Sequence, residues 1–591
     1  MRSFFKAFFA SLLSLVVFSF IGVLFFVGWI AWVSTKFSRK TPDLGSKAVL
    51  YIDLSTTIQE QGRRDDIAYF LGKESAATPG LYDAVRLIRH AATDSAVKGI
   101  FIRCEENASG FATSQELRNA LMAFKSSGKF IYAFGDVITQ KAYYVANVAD
   151  HIYCNPVGSL EWTGLSVQMM YLKHTLDKLG IEPQIFYDGK FKSATEPLRA
   201  DKMSDANRLQ TEEWLGDLNS VLLNGALVRR NIDTATLIGY EQQGSIQTAY
   251  DAVKYQLLDG SLYRDQVLTE VRRKLGIAAD ADVNFVTLSK YYDMVDLSNT
   301  EKDRVAVIYA QGDIVYGSGG RSDEPQIASE DYVRWIREAR KDSHVKAIVL
   351  RVNSPGGSSL ASDIILRELE LAKKDGKPVV VSMGDYAASG GYYISCAADS
   401  IFAEPSTITG SIGVFAIIPN LQSFFKDKLG VTFDGVKTAP FADEGSISRP
   451  LTDVEKKFVQ SNVDSTYLEF KGHVAKARHL SLDQVEEIAQ GRVWTGTRAV
   501  QNGLVDRLGN IQDAIDCAAK LASLKTYSLA EYPKSLSTLD RLFTDYSHTM
   551  KVKAVEEEIG PDGYKALQQI RKVKSMVGCV EVRLPYDAEI K

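Results

Sequence analysis

Apolar and polar positions follow two different rhythms along this chain. Short apolar, β-branched runs recur: VLYIDL (49–54), GIFIR (99–103) and FIYAF (130–134), then VAVIYA (305–310), AIVLR (347–351) and VVVSM (379–383). Each has the length and residue bias of a buried strand. Between them lie segments whose apolar residues fall three and four apart. SDIILRELELAKKDG (362–376) is one, and it runs into a glycine stop. LTDVEKKF (451–458) opens another, with Thr452 placed as N-cap and Glu455 completing a capping box; the matching helix earlier in the chain starts at Ser204. Strands alternating with amphipathic helices predict α/β units.

The pattern is written twice. DSAVKGIFIR, from Asp94, and DSHVKAIVLR, from Asp342, agree at six of ten positions. Asp150 then aligns with Asp399, Pro156 with Pro405 and Gly164 with Gly413, and TAYDAVKYQLLDG (248–260) aligns with TGTRAVQNGLVDR (495–507). The offset stays at 247 to 249 throughout, apart from a small gap between the regions around 190 and 438, and the copies run from about 49 to 275 and about 305 to 525. The stretch 280–303 reads as a linker. The expected organisation is an anchor and its flanks over 1–46, a first α/β repeat with linker over 47–300, a second over 301–525, and a polar, partly helical tail over 526–591.

The anchor rests on 27 residues, Ala7 to Val33, without a charge or a proline. As a helix that run is about 40 Å long, enough to cross a bilayer. It exceeds the apolar core of about 7–15 residues in a cleavable signal, and Trp29 and Trp32 sit at its far end, as interfacial aromatics do. Arg2 and Lys6 before it and Lys36, Arg39 and Lys40 after it do not settle topology.

Bulk composition narrows function. A formal charge of −4 over 591 residues gives no support to a nucleic-acid-binding surface. The five cysteines, Cys104, Cys154, Cys396, Cys517 and Cys579, are scattered without a CxxC pair, and the seven histidines form no HExxH, so neither a disulfide framework nor a metal site is expected. No G-x-x-x-x-G-K-[ST] pattern occurs, so ATP-independent action is expected, with no cofactor.

Candidate chemistry gathers at two strand ends of the second copy. In AIVLRVNSPGGSSLAS (347–362), Gly356 and Gly357 let the backbone turn sharply and present bare N–H groups. In VVVSMGDYAASGGYYIS (379–395), small neighbours leave the Ser389 hydroxyl accessible, and the Gly390 N–H is placed as a second oxyanion donor. This is not a GxSxG elbow, so an α/β-hydrolase is not supported. Strand–NSPGG followed by AASGG is similar to the serine-peptidase branch of the Clp protease/crotonase fold. No histidine lies between Ser389 and His473, so the histidine base of the Clp proteases is absent.

YDGKFKSATEPL (187–198) in the first copy resembles the lysine motif of the signal peptide peptidase A family, in its long, duplicated, membrane-anchored form. The resemblance covers nearly the whole chain. It implies Ser389 as nucleophile, Lys192 as general base, and Ser411 of TGSIG as the residue that orients the lysine. The oxyanion glycines would be Gly390, Gly356 and Gly357. It further implies a bowl-like homotetramer at the bacterial inner membrane, held in lipid by its N-terminal helix, with the body in the periplasm. Its substrates would be apolar extended peptides such as cleaved signal peptides. Lys190 competes with Lys192: in a strand both face one side, so periodicity does not choose and only the motif favours Lys192. A free lysine has a pKa of about 10.4, and burial lowers it, which is how an amine becomes a base near neutrality.

The first copy has Gln140 where the second has Ser389, and CEENASG (104–110) where the second has VNSPGG; the second puts Thr438 about where Lys192 falls. Neither copy is complete alone. Two other readings use the same residues, a crotonase-like acyl-CoA thioester enzyme and a non-catalytic membrane scaffold. The anchor and the Ser389–Lys192 pair argue against the first; a covalent serine probe that labelled wild type and Ser389→Ala alike would support the second.

Overall fold

The computed structural model describes residues 44–64, 77–297, 299–319, 325–534 and 580–584, with scattered positions between 11 and 25. In the first copy the apolar runs become β1 (Ala48–Asp53), β2 (Val97–Arg103), β3 (Phe130–Ile138) and β4 (His151–Leu160). All pair in parallel, with Gly260–Ser261 outside β4 and Phe285–Thr287 outside β1. Parallel neighbours need crossovers. Helices α1 (Leu81–Thr93), α2 (Phe111–Lys125) and α3 (Gln140–Ala146) lie on those connections. The strand β5 (Glu182–Asp188) and the long helix α4 (Asp205–Arg230) follow. Ser204 caps α4, its side chain accepting from Asn207 N–H.

The second copy repeats this with β6 (Arg304–Gln311), β7 (Val345–Ser354), the short β8 (Gly356–Ser358), β9 (Val379–Ala388), β10 (Ser400–Ala403), β11 (Ile408–Gly410), β12 (Val414–Asn420) and β13 (Val493–Thr495). Helices α5 (Ser359–Lys374), α6 (Gly390–Ser395) and α7 (Asp453–Arg478) accompany them, and α7 starts on the Thr452–Glu455 capping box. The main sheet runs β13-β11-β9-β7-β6, ending on Ser528–Tyr532. Its central strand β9 splits. Val380–Ser382 pair with β10, while Tyr386–Ala388 pair with β11, so the strand leading to Ser389 is held on both sides as far as Ala387 and by β11 to its last residue.

A third sheet joins distant parts of the chain. Its order is Gln326–Ala328, Asp313–Val315, β8, β14 (Val580–Arg583), β12 and β5. First-copy β5 lies antiparallel to second-copy β12 from Glu182↔Asn420 to Asp188↔Val414. This pairing carries the chain after Asp188 to the second copy.

Three details differ from the sequence reading. Between β1 and β6 the copies are offset by 256 residues (Ala48 to Arg304), while from β2 to β7 the offset is 248 (Val97 to Val345). The first copy therefore has eight more residues between its first strand and first helix. The stretch 280–303 is more than a linker, since Phe285–Thr287 extends the first sheet and Tyr291 is fully buried. The tail contributes the strands Ser528–Tyr532 and β14. Among the described residues no helix is long and apolar enough to cross a membrane, and most of the run 7–33 lies outside them. The positions of that run that are described, among them Leu13, Phe18 and Phe25, are helical and exposed.

Candidate active site

Ser389 stands where β9 turns into α6. Its backbone is at φ 55°, ψ −112°, an uncommon conformation for a side-chain-bearing residue, and its N–H donates to Gly410 O at 2.8 Å. The bond to β11 and the following helix hold the strain in place. Ser411, directly after β11, also has positive φ at 52°.

Lys192 follows β5. The chain is not a strand at Lys190 and Lys192 but a turn closed by Lys192 N–H donating to Gly189 O at 3.0 Å. That turn separates the two lysines. Lys190 is exposed, whereas Lys192 is 1 % exposed. Lys192 Nζ lies 2.9 Å from Ser389 Oγ, 3.2 Å from Ser411 Oγ and 3.3 Å from Ser411 O. Ser389 and Ser411 are themselves wholly buried. Burial drives the lysine pKa well below its ordinary value, with the Glu581 carboxylate pulling the other way.

The SATEP residues after Lys192 anchor its loop. Gln210 of α4 donates to Phe191 O and Ser193 Oγ, both at 3.1 Å, and the Glu196 carboxylate accepts from Ser204 and Asn207 at the start of α4. From the second copy, Gln490 O accepts from Phe191 N–H at 2.7 Å. Gly491, at φ +75°, presses on the lysine backbone so closely that a Cβ there would lie 2.7 Å from Lys192 N, Cα and Cβ.

The two glycine turns converge. A Cβ on Gly356 would come within 2.8 Å of Gly390 N and 2.1 Å of Val582 O. Gly356 N–H already donates to Ser354 Oγ at 3.2 Å, so it leaves the set of expected oxyanion donors and its contribution is close approach. Gly357 N–H and Gly390 N–H remain. Gly357 is in register with Val582 of β14, which lies antiparallel to β8.

Behind the turns the copies are tied by charge. Arg351, fully buried on β7, donates to Glu60 at 2.8 Å, Glu116 at 2.7 Å and Ser382 Oγ at 2.8 Å. Asp385, two residues after β9's central Met383, accepts from Thr113 N–H at 3.0 Å and Thr113 Oγ1 at 2.7 Å on α2. Glu60, Thr113 and Glu116 belong to the first copy. Sequence reading did not single out these residues, since a buried ion pair leaves no periodic trace; the Gly-Asp pair present in both copies, Gly135-Asp136 and Gly384-Asp385, was the available signal.

The equivalent place in the first copy is filled. Gln140 begins α3 at ordinary backbone angles and donates to Gly164 O at 2.7 Å. Thr139 takes the N-cap. Trp162, in the place of Ser411, is almost fully buried and meets Tyr143 edge-on at 5.8 Å. The loop in place of the glycine turn is stitched by Asn107, which donates to Ser114 Oγ at 2.9 Å and accepts from Ser109 N–H at 3.0 Å. Thr438 is exposed, in a stretch without strands.

Known proteins share this organisation. Residues 123–278 and 371–525 each match the family described as Peptidase family S49. A protein named Protease 4 from Salmonella typhi is 35% identical over 528 residues, covering 87% of this chain and 84% of its own. Protease 4 from Haemophilus influenzae is 34% identical, covering 82% and 81%. Serine protease SPPA, chloroplastic, of Arabidopsis thaliana is 32% identical, covering 76% and 67%.

Proposed function

The chain belongs to peptidase family S49, as a serine peptidase, and we propose that it cuts apolar extended peptides, cleaved signal peptides among them, with Ser389 as nucleophile and Lys192 as general base. The observation that carries this reading is the 2.9 Å approach of a wholly buried lysine amine to a wholly buried serine hydroxyl held at strained backbone angles.

In the proposed reaction the neutral Lys192 amine takes the Ser389 proton as Oγ attacks the peptide carbonyl carbon. The resulting oxyanion is met by the N–H groups of Gly390 and Gly357. Collapse breaks the C–N bond, and Lys192 returns its proton to the leaving amine. Water, deprotonated by the same amine, then attacks the ester, and breakdown of the second tetrahedral species frees the acid and restores Ser389. Ser411 keeps the amine aimed at the hydroxyl. No step requires ATP.

The reading also places the protein at the bacterial inner membrane, anchored by Ala7–Val33, as a homotetramer with its body in the periplasm. It is supported by the length of the apolar run and by the family resemblance of the whole chain.

The test is digestion of apolar peptides by the full chain, with products mapped by mass spectrometry. Wild type is expected to cut, and Ser389→Ala and Lys192→Ala to fall by about a thousandfold or more. A fluorophosphonate probe should label wild type and not Ser389→Ala. Equal labelling of the two, or undiminished cleavage by either variant, overturns the assignment.

A further inference from the structure

The described C-terminal residues lie as a strand between the glycine turn and β12. Strand β14 runs antiparallel to β8 on one side, with Gly356↔Arg583, Gly357↔Val582 and Ser358↔Glu581, and to β12 on the other, with Phe415↔Glu581. Leu584 N–H donates to Pro355 O at 2.7 Å. Main-chain pairing of this kind accepts any sequence, so selectivity has to come from side chains.

The position of each residue follows from one carbonyl. Val582 O is the oxygen against Gly356 and Gly390, since a Cβ on either would meet it at 2.1 or 3.1 Å. A residue whose carbonyl sits at the oxyanion turns is the one before the bond to be cut. Val582 therefore holds that place, its side chain wholly buried, and Arg583 holds the place after it. Arg583 is 5 % exposed. Its Nη2 lies 2.7 and 2.8 Å from the two carboxylate oxygens of Asp313, on the short strand Asp313–Val315 of the same sheet.

We propose that Asp313 is a specificity-determining residue that selects a basic side chain immediately after the cleaved bond, so that the preferred peptides carry an apolar residue followed by Arg or Lys. The inference rests on the peptidase reading above. Asp313 is one-fifth exposed and accepts the guanidinium in a site where water is largely displaced. Charge-assisted bonds of that kind discriminate more strongly than neutral ones. It touches neither Lys192 nor Ser389 through any hydrogen bond described, so its effect falls on choice of substrate and not on the chemical step.

The experiment uses the full chain and three peptides identical except at the residue after valine: Val-Arg, Val-Leu and Val-Glu, mixed in one digestion and read by mass spectrometry. β14 competes for the cleft equally against all three, so the ratios of kcat/KM are free of that competition. Wild type is expected to prefer Val-Arg over Val-Leu by about tenfold, and over Val-Glu by more. Asp313→Asn should bring Arg and Leu to within about twofold while still cutting Val-Leu, and Asp313→Lys should favour Val-Glu. An unchanged Arg:Leu ratio in Asp313→Asn overturns the inference and leaves the peptidase reading standing. So does wild type with no preference for Arg, which decides the matter even if a variant fails to fold. If wild type cuts none of the three and no other apolar peptide, the peptidase reading itself falls.

Discussion

At the scale of the residue, Lys192 is a cation-forming group placed where a cation is penalised. In the unfolded chain its pKa is about 10.4, and in the fold it is depressed by burial. The folded chain therefore binds fewer protons, so stability is full above the unfolded value and is lost as pH falls toward the depressed one. Lys192→Met removes that penalty. Its urea midpoint should exceed that of wild type at pH 7, the difference shrinking toward pH 10, while peptide hydrolysis is abolished. The same depression predicts that wild-type activity rises through a base well below pH 10 and that no comparable limb appears near 10.4. Ser411 acts one bond away. Ser411→Ala removes the Oγ 3.2 Å from the amine and leaves the carbonyl contact, and should lower kcat by about tenfold with KM nearly unchanged in steady-state kinetics.

At the scale of the element, the site depends on short turns held by neighbours from the other copy. Gly491 is the tightest of these. Gly491→Ala would put a methyl 2.7 Å from the backbone of Lys192 at a φ of +75°, displacing the lysine loop, and should cost at least about tenfold in kcat while the Arg351 cluster and global stability change little. Strand β14 carries its own titrating group. Glu581 is pushed up to about 7, first by burial and then by Asp313, with Arg583 and Lys192 opposing. A carboxyl raised in the fold contributes stability in full below its unfolded value near 4.5, and that contribution is lost as pH rises through about 7. Docking of residues 580–584 should therefore weaken between about pH 5 and 8. Amide exchange there, corrected for the intrinsic pH trend, should quicken over that range, and Glu581→Gln should flatten the dependence. Much at this scale was legible beforehand. The β-branched runs, the Thr452 cap, the duplicated register and the serine turn all follow from local pattern, and the motif separated Lys192 from Lys190. The turn that buries one lysine and exposes the other was not legible, because it is set by Gln490 and Gly491, some 300 residues away. The engaged N–H of Gly356 and the place of β14 were hidden for the same reason: each depends on a partner that sequence spacing does not name.

At the scale of the whole molecule, the two copies share their buried charges. Arg351 neutralises Glu60 and Glu116 of the first copy at the back of the glycine turn. Arg351→Leu would leave two carboxylates buried without their cation, and should cost about 3–5 kcal/mol, read from equilibrium denaturation, with loss of activity accompanying it. The complementary decay of the copies follows the same logic. Gln140 and Trp162 fill the place of Ser389 and Ser411 in the first copy, so that half is sealed by packing there and contributes the lysine loop and the carboxylates behind the glycine turn.

The separation of Lys192 from Ser389 by 197 residues has a consequence in time. A ribosome adding about 5–20 residues per second needs roughly 10–40 s to go from one to the other. Through that interval Lys192 lacks both the hydroxyl it approaches and the later residues that bury it, Ser411, Gln490 and Gly491 among them. On the proposed Ser389–Lys192 reading, a nascent protease of this design is chemically silent while its own unfolded segments are most open to attack, and it acquires hydrolytic power only when the late half docks on the early one.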